Sequence, residues 1–119
     1  MAIISFREHD PNRYWKRARW VQNAVLEDAQ LLAGGDQEIV NALEQGIALD
    51  GLIVWMKEPS LRTRLTSLLK ALADKTIDHP FEPPLRWHDG MDARHQQMYL
   101  DSIRELRDII RVNEQAERL

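Results

Sequence analysis

The longest mainly apolar stretch, IVNALEQGIALDGLIVWM from Ile39 to Met56, cannot stand in water alone, and the remaining elements are read around it. Wound as a helix it carries Val40, Leu43, Ile47, Gly51 and Val54 on one row and Ile39, Ala42, Gly46, Leu49, Ile53 and Met56 on another. More than half its girth is then apolar, which places it inside a bundle. Gly46 and Gly51 would each cost about 1 kcal/mol relative to alanine in a helix interior, a cost offset if a neighbour approaches closely. The rival reading is a turn at Asp50-Gly51 followed by a short strand from Leu52 to Trp55, since Ile53 and Val54 are β-branched. The spacing favours a helix over residues 37–57, capped by Asp36, with Glu38 in its first turn and Pro59 stopping it.

The same periodicity predicts three more helices. Residues 1–9 supply an apolar lead-in, Ile3, Ile4 and Phe6. A helix over 11–33 follows, with Asp10 as N-cap, Pro11 at the first helical position and a stripe of Tyr14, Ala18, Val21, Val25 and Leu32. Gly34-Gly35 closes it. A helix over 61–75, capped by Ser60, has the seam Leu61, Leu65, Leu68 and Leu72, with Leu69 beside it, and the tight Lys57–Ser60 link makes it a neighbour of the second helix. The last helix, over 90–117, has acidic residues Asp89 and Asp92 at its start and a heptad-like seam of Tyr99, Ile103, Leu106, Ile110 and Asn113. Arg104–Asp108 and Glu114–Arg118 are spaced as i,i+4 pairs on its wet side. Between the third and fourth helices, the loop 76–89 holds Pro80, Pro83 and Pro84, which exclude a helix, and Phe81, Leu85 and Trp87, which would cover the open end of the bundle. The expectation is an all-α, four-helix bundle-like single domain with a long proline-containing loop.

Length agrees with that picture: 119 residues bury a single core without metals or disulfides. The chain has no cysteine, which removes disulfides, thiolate zinc sites and cysteine nucleophiles and fits a cytoplasmic protein. The apolar start is too short for a secretory signal, and no run reaches a membrane span. The net charge of −3 is uneven, with a basic excess before Val25 and an acidic one over 25–60. Such halves can neutralise each other across a helix pair.

Two stretches could carry chemistry. Arg13-Tyr14-Trp15-Lys16-Arg17-Ala18-Arg19-Trp20 interleaves cations with aromatics, as single-stranded nucleic-acid binders do. On a helix, Trp15 with Arg19 and Lys16 with Trp20 would instead be i,i+4 cation–π neighbours at the rim of the apolar face. In Trp87-His88-Asp89-Gly90-Met91-Asp92-Ala93-Arg94-His95, the residues His88, Asp89, Asp92 and His95 have ligand chemistry, but no other helix offers the matching Glu-x-x-His of a bundle metal site. Capping aspartates and surface histidines account for them. No nucleophile or oriented carboxylate is tied to either histidine, and the chain has no Walker loop, dinucleotide fingerprint, Gly-x-Ser-x-Gly elbow or His-Glu-x-x-His. The residues therefore assign no catalytic, cofactor-binding or metal-ligating group.

The function these observations favour is a small non-catalytic protein–protein interaction module, such as an adaptor, inhibitor or immunity-type binder. Tryptophan and arginine dominate binding hot spots, Trp15, Trp20 and Trp87 fall near element edges or in the loop, and the residues expected to meet a partner are Arg13, Arg17, Trp20, Phe81 and Trp87. The alternative is a helix-turn-helix-like or basic-helix nucleic-acid regulator. For it, the third helix would bring Arg62, Arg64 and Lys70 to phosphates, but it shows Thr63, Thr66 and Ser67, with no Asn or Gln, to the bases. A small-molecule or metal-binding bundle is the third class. A second copy could pair at the overhanging end of the last helix, where Ile109, Ile110 and Val112 crowd together.

Overall fold

The computed structural model describes residues 1–7, 14–78 and 92–118. Its elements run β1 (Ala2–Ser5), β2 (Tyr14–Arg17), α1 (Arg19–Leu32), α2 (Gln37–Leu49), β3 (Gly51–Ile53), a 3-10 turn (Val54–Met56), α3 (Pro59–Asp78) and α4 (Ala93–Arg118). The protein is mainly helical, as the periodicity predicts. It is not purely α, because three short strands form a sheet of order β2-β1-β3.

The sheet starts from the apolar lead-in. Ala2 and Ile4 point into the core while Ile3 and Ser5 stand on the opposite face, the alternation of a half-buried strand. The central strand β1 pairs antiparallel with β2, Ile4 opposite Trp15, and parallel with β3, Ile4 opposite Leu52. Trp15, Ile4 and Leu52 thus form one buried row across three strands. Ile3, Ser5, Tyr14, Gly51 and Ile53 are half-buried and Lys16 is exposed on the other face.

This sheet overturns the two long helices expected at the start. Residues 14–17 are a strand, and α1 begins only at Arg19, with Ala18 as an N-cap that makes no side-chain capping bond. The signal at Asp10-Pro11 lies outside the described residues. Trp15 explains the outcome physically: on β2 it is fully buried and its indole N–H donates to the Ser102 carbonyl of α4 at 2.8 Å. On a helix from residue 11 it would have sat at the rim. The cation–π pairs expected from helical spacing consequently do not form, and Tyr14 leaves the core stripe for the outer sheet face. Of the rest of the stripe, Val21 and Val25 are buried and Ala18 and Leu32 pack half-buried against the core, while Leu26 and Ala29, outside the expected stripe, are buried as well.

The segment expected as one helix over 37–57 divides at Asp50, where the rival reading put a turn, but the strand is Gly51–Ile53 rather than Leu52 to Trp55, and Val54–Met56 form the 3-10 turn. Asp36 caps α2 by accepting from the Ile39 amide at 3.3 Å. At the other end Asp50 adopts the left-handed conformation, with φ 55° and its amide donating back to Gly46 and Ile47. Asp tolerates that region better than most residues. Arg19 also pairs with its carboxylate at 2.7 Å. Leu52 then turns into the core on β3, which a straight helix would not have allowed. The closeness that Gly46 permits is real. A Cβ there would sit 2.9 Å from Leu26 Cδ1 and 3.2 Å from Leu52 Cβ, so α2 lies against both α1 and β3 through this residue.

The helices form two antiparallel pairs. In α1 and α2 the side-chain amide of Gln30 reaches the Val40 carbonyl at 3.4 Å and that of Gln22 the Gly46 carbonyl at 3.5 Å. In α3 and α4 the ion pairs Lys70–Glu114 (3.0 Å) and Arg107–Asp74 (3.9 Å) fix the opposite run of the chains. α3 starts two residues earlier than expected, with Pro59 rather than Leu61 in the first turn, so Ser60 is not its cap. It also extends to Asp78, so residues 76–78 of the expected loop are helical; the rest of that loop, with Phe81 and Trp87, lies outside the described residues. The seam of α4 is as predicted, Tyr99, Ile103, Leu106, Ile110 and Asn113 all being buried. Arg104 pairs with Asp101 (3.3 Å) instead of Asp108; Glu114 pairs with Lys70, and the side chain of Arg118, its expected partner, lies outside what is described. Ile110 is buried and Ile109 packs against the chain's own core, leaving Val112 exposed. Among the described residues no helix is long and apolar enough to cross a membrane.

Candidate functional site

Of the five residues singled out from the sequence, Arg13, Phe81 and Trp87 lie outside the described residues. Arg17 and Trp20 both turn toward the first half of α4. Arg17 forms an ion pair with Glu105, and the Trp20 ring meets His95 edge-on, with centroids 5.3 Å apart and planes at 66°. His95 in turn belongs to the start of α4: its amide donates to Asp92 Oδ1 at 2.9 Å and its Nδ1 lies 2.8 Å from the same oxygen. These bonds hold the Asp92 carboxyl below the usual carboxylate range, first through the amide and then through the ring. Asp92 is thus the capping aspartate the sequence suggests. His88 and Asp89 are outside the described residues, and among those described no group of three or more His, Asp or Glu side chains could hold a metal ion.

A groove of about 350 Å³ opens at the other end of α4. From His95 to Asn113 along the helix is ~27 Å at the standard rise, so the groove is well removed from the Trp20 patch. Phe6, Val54 and Pro59 give it an apolar end. Arg62, Thr63, Thr66 and Ser67 form the α3 wall, and Asn113 and Glu114 the α4 wall. The fold creates this hollow because the chain leaves β1 at Phe6 and re-enters α3 at Pro59 beside the last turns of α4. The α3 residues line it together because positions three and four apart share a helix face.

The electrostatics of the wall are uneven. Glu114 accepts from Lys70 through both carboxylate oxygens, at 3.3 and 3.0 Å, and is neutralised there. Arg64, on the same helix, is held away by Asp36 at 2.5 Å and Glu38 at 3.0 Å. Its hydrogen bond lowers the Asp36 pKa, while Asp36 and Glu38 raise that of Arg64. Among the described residues, Arg62 is the one cation lining the groove, and it has no ion-pair partner there. Asn113 is only 6% exposed; its side-chain N–H donates to the Ile109 carbonyl at 2.8 Å, and its Oδ1 has no partner.

Sequence reasoning considered the α3 wall only as a helix-turn-helix surface. Its geometry is different, since β3 and a 3-10 turn separate α2 from α3 where that motif needs a tight turn. The one available pointer to the groove was Asn113, a polar residue ending an otherwise apolar seam. Phe6 carried no such mark. The arrangement can bind, through a guanidinium, hydroxyls and an apolar end, and among the described residues it holds no nucleophile paired with a base. In comparisons with known proteins, no family model, no curated protein and no solved structure matches this chain.

Proposed function

We propose that this chain is a small non-catalytic protein-binding module, acting in the cytoplasm, whose recognition site is the groove between α3 and α4. The observation that carries this reading is the groove's mixed lining: an apolar end beside hydroxyls and an unmatched Arg62, the composition of a site that seats a partner's side chains and fixes their orientation. A nucleic-acid surface is less well supported. Of the described cations that would have to meet phosphates, Arg17, Arg19, Arg64 and Lys70 are already paired with Glu105, Asp50, Asp36 and Glu114, which leaves Lys16 on β2 and Arg62 on α3. Affinity for nucleic acid grows with the number of phosphates neutralised, and two cations on separate elements neutralise few.

The test is affinity capture from nuclease-treated native lysate at low and moderate salt, with the wild-type chain beside Thr66→Trp, which fills the groove. A stoichiometric protein retained by the first and lost by the second is the expected result. Equal retention by both would place recognition elsewhere, with Trp20 and Arg17 next to be replaced. Recovery of nucleic acid alone from untreated lysate, lost as salt rises, would overturn the protein-binding reading.

A further inference from the structure

Resting on the reading of the groove as a protein-binding site, we propose that its occupant is a peptide segment of a partner that presents a carboxylate to Arg62. Beside that acid, a large apolar side chain rests on Phe6, Val54 and Pro59. The charge argument comes first. Glu114 is matched by Lys70 and Arg64 by Asp36 and Glu38, so the groove offers a ligand one net positive group, Arg62. Guanidinium forks a carboxylate with two parallel hydrogen bonds, and an unmatched one repels cationic segments.

Asn113 gives one amide hydrogen to the Ile109 carbonyl and its Oδ1 is fully enclosed, so it offers a ligand no acceptor; the peptide character of the occupant follows from the protein-binding reading alone. The row Thr63, Thr66 and Ser67 adds hydroxyls that can donate or accept along the same face. Thr63 already gives its own to the Pro59 carbonyl at 3.0 Å. The volume of about 350 Å³ suits a few side chains and lies at the small end for cofactor pockets.

The experiment selects short random peptides displayed on phage against the full-length chain, then measures synthetic copies of the winners by fluorescence anisotropy. Expected is a shared Asp or Glu next to a large apolar residue, with affinity falling about tenfold for Arg62→Ala, the loss typical of a charge-assisted hydrogen bond. Arg62→Glu should lose the acidic peptide and gain the version in which its acid is replaced by Lys, a reversal that no general loss of folding reproduces. Peptides without an acid, or binding indifferent to both Arg62 variants, would overturn the carboxylate assignment, as would inorganic phosphate competing as well as the peptide. Thr66→Trp separates the two levels. If it abolishes binding of acid-free peptides, the groove stands and the carboxylate falls; if peptides bind it unchanged, the groove reading falls as well.

Discussion

Tyr99 is where a single side chain couples most of the interior. Its ring is fully buried and its hydroxyl donates to Asp28 Oδ2 at 3.2 Å, joining α4 to α1. Burial, then the neighbouring Asp28 charge, raises its pKa well above the ordinary phenol value. Tyr99→Phe keeps the ring and removes the donor to a buried carboxylate. It should cost about 1–3 kcal/mol in urea denaturation, with the m-value unchanged. Asp36 makes a different prediction. Its folded pKa is depressed by Arg64, so the stabilisation it gives is complete above its unfolded pKa, about 3.9, and is lost as pH falls through the lower folded value. Asp36→Asn keeps a capping side chain but removes the titration, and thermal melts across that acid range should show a flatter loss of Tm than wild type. The cap was legible in the sequence, because Asp before a periodic run is a local signal. The Arg64 bond, 28 residues away, was not.

At the scale of elements, four helices follow from the amphipathic stripes; α1 and α2 each lose an end where tertiary pairing competes with periodicity, and α3 runs beyond its expected bounds at both ends. Residues 14–17 carry aromatic and long side chains that fit helix or strand, and β1 decides between them by offering a ladder and a buried row for Trp15. The end of α2 was similarly balanced. An apolar run with both periods present became helix up to Leu49 and strand from Gly51, because parallel pairing with β1 buries Leu52 and Asp50 can take φ 55°. Gly46 tests this junction. A helix-interior glycine ordinarily gains from substitution, but here Gly46→Val must displace Leu52 Cβ as well as Leu26, and should destabilise by about 2 kcal/mol or more in chemical denaturation. A neutral or stabilising outcome would mean that α2 is not pressed on β3 as closely as 3.2 Å requires.

Across the whole molecule, Trp15 joins the sheet to the helices, with its ring in the single core and its N–H on Ser102. Trp15→Ala should cost about 3–5 kcal/mol and lower the melting transition seen by far-UV circular dichroism as one cooperative step, since strand and helix share that core. The sequence by itself determined the four helices of the described residues, the cap of α2, the buried seam of α4 and the absence of thiol chemistry. Each of these follows from periodicity, a residue's own hydrogen-bonding or its composition, all of which act over a few neighbours. Only the tertiary structure decided the sheet, the buried place of Trp15 and the groove. A three-strand ladder and a wall built from Phe6, Arg62 and Asn113 join residues far apart in the chain, whose individual preferences are too weak to announce the partner that satisfies them.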